Sequence, residues 1–129
     1  MTTETLILVL TFVLALAHYL LPAGLMIPGN GAVALAGSRD NLVKPDSMAY
    51  QRATRALVNF RETLPWAIGL LILVQVTGDA NAATATGGWL YFLGRCAYLP
   101  LYLMGVPWLR TVAWLVSIAG LCLIVLQLL

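Results

Sequence analysis

Charge is the scarcest commodity in this sequence. Only 9% of its 129 residues are Asp, Glu, Lys or Arg, against about 25% in a typical soluble domain. With 61% hydrophobic residues, the chain has more apolar surface than one soluble core can bury. That excludes a soluble globular domain and leaves one small polytopic membrane domain. The net charge of +2 is low and scattered, which excludes nucleic acid as a partner. Cysteine is nearly absent as well. Cys96 and Cys122 lie inside apolar runs without metal-ligand spacing, so neither a disulfide framework nor a metal site is implied, and both read as small buried hydrophobes. The opening MTTETLILVL lacks a positive n-region, and no small-residue cleavage site follows, so the first apolar run is expected to stay. Low-complexity tracts, internal repeats and a linker to a second domain are also lacking.

What is present is a set of four apolar runs, at about 5–27, 53–77, 89–104 and 108–127. Thr5 to Ile27 carries no formal charge. His18, its one titratable group, reads as a neutral packing residue. Pro22 is expected to bend this helix, and Pro28-Gly29-Asn30-Gly31 to end or interrupt it. The longest connection, Gly29 to Ser47, holds Arg39, Asp40, Lys44 and Asp46, and ends in a helix N-cap at Pro45-Asp46-Ser47. A second helix from Ser47 to Thr77 is ~46 Å long, against ~30 Å of hydrocarbon. Its first half therefore projects beyond the membrane, and Pro65 is expected to kink it where the apolar run begins. Thr77 to Gly88 reads as a small polar turn, and Gly105-Val106-Pro107 as a tight connection. Positive charge gathers at Arg39, Lys44, Arg52 and Arg55, while the second connection has none. The positive-inside rule then places the long loop, the projecting half-helix and Arg110 in the cytoplasm, with both termini outside.

Two polar stripes stand out against the apolar background. In the second helix Arg52, Arg55, Asn59 and Glu62 fall within an arc of roughly 80°, with Arg61 on the far side. In the third, Tyr91, Arg95, Tyr98 and Tyr102 share an arc of roughly 60°. An intramembrane arginine needs a partner, and Glu62 is the acid expected to pair with Arg95 at similar depth. A structural bridge between them leaves Arg52, Arg55, Asn59 and Arg110 unexplained. Their surplus of positive charge asks for an anion. Guanidiniums hold carboxylates bidentately, Asn59 offers donor and acceptor, and Glu62 can hold an ammonium. A small ligand with carboxylates and one amino group satisfies that set, and so does an anionic lipid head group.

The pattern Arg52-x-x-Arg55-Ala56-x-x-Asn59-x-x-Glu62-x-x-Pro65 resembles the signature of the MAPEG superfamily, the membrane-associated proteins in eicosanoid and glutathione metabolism. Arg95-x-x-Tyr98-x-x-x-Tyr102, with Arg110 after a short turn, is similar to the pattern of that family's third and fourth helices. Ala36-Gly37-Ser38-Arg39-Asp40 resembles its shorter bacterial branch. The resemblance implies an all-α membrane protein, a four-transmembrane-helix bundle assembled as a homotrimer in the bacterial inner membrane, with ligand sites at the cytoplasmic side of subunit boundaries. It also implies that Arg55, Asn59, Glu62, Tyr98 and Tyr102 hold glutathione or a related thiol as co-substrate, and the two polar stripes add Arg52 and Arg95 to the candidate binding residues. The resemblance further implies that Arg110 stabilises the thiolate, a role that suits a guanidinium near a helix N-terminus. Thr63 stands where several enzymatic members carry a tyrosine, and the first span lacks a basic residue near its cytoplasmic end.

The expected function is therefore a thiol-dependent transferase or peroxidase acting on lipophilic electrophiles. The alternative is a non-catalytic protein that binds membrane lipids or serves a larger membrane complex on the same fold. A purely structural bundle is a third reading. A channel or transporter is disfavoured, because the charges cluster at one mouth.

Overall fold

The computed structural model describes residues 1–129. It is all helical, with α1 (Thr3–Asn30), α2 (Ala32–Ala36), α3 (Met48–Thr77), α4 (Ala82–Met104) and α5 (Pro107–Leu128). Three of the four long helices, α1, α3 and α5, are long and apolar enough to cross a membrane.

Each boundary has a local cause. Thr2 caps α1 by accepting the Thr5 N–H, and Ser47 caps α3 by accepting that of Tyr50. Gly78 and Gly105 end α3 and α4 in the left-handed region, with φ of 78° and 73°, where glycine carries no Cβ penalty. The helix α1 runs through Pro22 and Pro28 and stops at Gly31, whose φ is 80°. Just before that stop, Asn30 fastens the long connection. Its Nδ2 donates to the Val43 carbonyl and its Oδ1 accepts the Val43 N–H, both at 2.8 Å.

The start of α4 corrects the sequence-based expectation. Residues 82–88, expected as a turn, are helical from Ala82 onward. Asn81 and Thr84 form a capping box, which satisfies two otherwise orphaned N–H donors. Gly87 and Gly88 are small because they pack, and both are buried. A Cβ added to Gly87 would stand 2.6 Å from the Gly120 carbonyl, and one on Gly88 2.8 Å from Ile7 Cδ1.

The tightest pairing in the bundle is α4 against α5, and α1 packs antiparallel to α3, with Thr2 bonded to Gln75 and the His18 ring stacked on Phe60 at 4.1 Å. His18 is buried, and its Nδ1 donates to the Leu14 carbonyl at 3.0 Å. The core runs as a column along the bundle, from Ile7, Leu71, Val74 and Ile124 through Ala67, Tyr91 and Leu121 to Ala56, Tyr98 and Ala113. A polar clasp closes one end. Glu4, buried in the first turn of α1, accepts a 2.6 Å hydrogen bond from Thr84.

The α3–α5 seam is loose. It opens an apolar groove of about 710 Å³, lined by Pro65, Trp66, Leu70, Leu121, Cys122 and Leu126 among others. Cys122 is thus exposed rather than buried, and Cys96 is half-buried; both are free thiols.

Candidate functional site

Arg95 is completely buried in the middle of α4. Its guanidinium is held from α3: Nη1 donates to Asn59 Oδ1 at 2.8 Å, and Nη2 to Thr63 Oγ1 at 2.6 Å. The Thr63 hydroxyl also lies 3.4 Å from the Tyr91 hydroxyl. The Tyr91 and Tyr98 rings flank the cation, at 5.8 and 5.3 Å from Cζ, close enough for their π faces to offset part of its desolvation. The expected Glu62–Arg95 bridge is not formed. Asn59 and Thr63 are four residues apart, so both point at α4. Glu62 is rotated about 60–100° away from them around the helix, and it is exposed.

One helical turn further along α4 the tyrosine stripe continues. The Tyr98 and Tyr102 rings are 5.5 Å apart, and the Arg110 guanidinium lies 4.5 Å from the Tyr102 ring centroid. Arg110 belongs to the first turns of α5, which begins with Pro107; the Gly105 turn folds α5 back so that this cation meets the stripe. Asn59, Tyr98, Arg110, Thr111 and Trp114 line an open cavity of about 190 Å³. Whole-ligand pockets run to about 300–1,000 Å³, so this space has room for only one end of a ligand of that size. A shallow depression of about 280 Å³ lies on α3 at Val58, Arg61 and Glu62.

The model of the MAPEG family matches residues 5–129. The chain belongs to the MAPEG family. No curated protein and no solved structure matches it. As a MAPEG protein with three helices long and apolar enough to span a bilayer, it is an integral membrane protein of the glutathione and eicosanoid metabolism superfamily.

Of the residues singled out in the sequence, this MAPEG chain brings Asn59, Arg95, Tyr98, Tyr102 and Arg110 into one connected cluster. Arg55 and Glu62 sit exposed on α3, outside it. Arg52 is at the rim, where it is engaged with the fold itself: Nη1 donates to the Leu103 carbonyl at 3.0 Å, at a helix C-terminus where a cation is favoured. Three members of the cluster were not foreseen, namely Thr63, Thr111 and Trp114. Thr63 had a legible signal, because it follows Asn59 by one helical turn and a buried arginine needs more than one acceptor. Thr111 and Trp114 had none, since nothing in their spacing distinguishes them from lipid-facing neighbours.

Proposed function

We propose that this protein is a thiol-dependent transferase or peroxidase acting on lipophilic electrophiles, with glutathione or a related thiol as co-substrate. One observation carries the reading. Two guanidiniums, Arg95 and Arg110, stand in one aromatic cluster beside a cavity, and what holds them is an amide, a hydroxyl and π faces, not carboxylates. The net positive charge there favours an anion, and a thiolate is the anion whose nucleophilicity such a site serves. The first turns of α5 add the positive end of a helix dipole. Holding the thiolate against an apolar electrophile that arrives from the bilayer supplies much of the remaining rate.

The protein's own role in the step is limited and definite. Arg110 and the α5 N-terminus lower the cost of the bound thiolate, so the proton leaves to solvent before the C–S bond forms and the electrophile's leaving group departs. Arg55 and Glu62 contact the remainder of the thiol. Both are exposed on the half of α3 that precedes Pro65, the half expected to project on the cytoplasmic side, and no other helix of the subunit covers them. A second copy against that face would bring them to the ligand, and the proposed assembly is a homotrimer of four-span subunits whose sites are completed at subunit boundaries. The proposed setting is the bacterial inner membrane with the termini periplasmic. A cysteine replacing Lys44 should then be shielded from impermeant reagents in intact cells while one replacing Asn81 reacts, and the reverse labelling would overturn this orientation.

The deciding experiment is spectroscopic. Purified protein mixed with glutathione at neutral pH should give the ultraviolet absorbance of a thiolate, with release of a proton. Arg110→Leu should remove that signal and leave binding largely intact, whereas Arg55→Leu should weaken binding first. Binding without a thiolate signal would move the protein to the second reading, in which the fold binds lipid or supports a larger membrane complex. The apolar α3–α5 groove favours that alternative, and a co-purifying phospholipid in place of any thiol would support it.

A further inference from the structure

The cavity beside Arg110 has a wall whose polarity is set from behind. Asn59 forms part of that wall, and its carboxamide oxygen accepts from Arg95 Nη1 at 2.8 Å. A guanidinium has five N–H donors and no acceptor, so only the oxygen of Asn59 can face it. The chemistry of the partner therefore fixes which way the amide points. The Asn59 NH2 group takes no partner in the protein and is left for the cavity. Arg110 and the Trp114 indole, which also line the space, can only donate. The Tyr98 hydroxyl can do either. Thr111 is the exception, since its hydroxyl donates to the Pro107 carbonyl at 3.1 Å and keeps acceptor capacity.

We infer that Arg95 is a positioning residue: it turns the Asn59 carboxamide so that its NH2 faces the cavity, which makes that wall accept the carboxylate or carbonyl end of a ligand and refuse its ammonium end. Arg95 itself does not touch the ligand. It is fully buried, and both terminal nitrogens are engaged with α3. Thr63 completes the mount by holding the second nitrogen, so the guanidinium cannot swing away from Asn59. The inference rests on the proposed thiol site for the identity of the ligand, but the orientation of the amide does not depend on it.

Asn59→Asp separates this role from a merely structural one. The aspartate would pair more strongly with Arg95 while presenting a carboxylate oxygen to the cavity. The expected result is an unfolding temperature no lower than wild type and glutathione binding at least about tenfold weaker, the scale of one charge-assisted hydrogen bond lost. Wild-type affinity in Asn59→Asp would overturn the inward-facing NH2. A ligand-free measurement covers the other half. In protein labelled with 15N-asparagine, the Asn59 side-chain NH2 signal should persist in Arg95→Lys, whose ammonium also only donates, and shift in Arg95→Met. An unchanged signal in Arg95→Met would overturn the positioning role. If wild-type protein binds no glutathione, the thiol reading fails, and the two arginine variants still decide the orientation.

Discussion

Replacing Thr63 with valine is expected to cost about 2–3 kcal/mol of stability, the range for losing a hydrogen bond to a charged group. The substitution keeps the shape of the side chain and removes only the oxygen that accepts from Arg95 Nη2 at 2.6 Å. It leaves a buried donor with nothing to bond, on a guanidinium whose Nε already has no partner. Adding Arg95→Met should recover much of the loss, because the pair is then apolar on both sides. A double-mutant cycle in detergent measures this coupling directly. The same cycle between Glu62 and Arg95 should return less than about 0.5 kcal/mol, because Glu62 is exposed and makes no bond to the buried guanidinium. Strict additivity for Thr63 and Arg95 would show that the hydrogen bond contributes nothing.

The second large effect is expected at the α4–α5 crossing. A Cβ on Gly94 would lie 2.8 Å from the Ala113 carbonyl and 3.0 Å from the backbone nitrogen of Ser117. Backbone atoms of a packed helix cannot retreat as a flexible side chain can, so the helices must separate. Gly94→Leu should cost about 3 kcal/mol or more, and even Gly94→Ala should destabilise despite its gain in helix propensity. Gly24 in α1 provides the contrast, with nothing within 4 Å of an added Cβ. There the propensity term acts alone, and Gly24→Ala should stabilise by about 0.5–1 kcal/mol. Thermal unfolding of the variants side by side checks the pair. Equal responses at the two positions would remove the crossing as the explanation.

These two regions also show where the sequence was readable. The start of α3 followed from local chemistry, the Ser47 cap. The shared face of Tyr91, Arg95 and Tyr98 followed from helical spacing, and all three are buried. Local chemistry misled at the start of α4, because Ala82 to Gly88 is small and polar for a tertiary reason: Gly87 and Gly88 admit α5 and α1 to close range. Charge pairing misled at Arg95. Counting acids and bases makes Glu62 the natural partner, but the helix angle gives the position to Asn59 and Thr63, whose neutral oxygens meet the cation without a second desolvated charge. The Glu4–Thr84 clasp was illegible for a related reason, since it joins residues 80 positions apart and neither looks unusual in its own segment.

The burial of Arg95 has a consequence for how the protein is made. Under the four-span arrangement α4 must enter the bilayer, yet it is the one long helix that is not apolar enough to qualify as a span by itself. An arginine at a helix centre costs about 2.5–3.5 kcal/mol at insertion. The oxygens that receive this one belong to α3, which leaves the ribosome first, and the apolar α5 follows across a turn of only Gly105 and Val106. The order of synthesis therefore supplies α4 with its polar partners before it arrives and with an anchor directly afterwards. Translated into microsomes alone, α4 should slip through the translocon; with α3 ahead of it and α5 behind, it should stay in the bilayer, and removing Asn59 and Thr63 together should release it again.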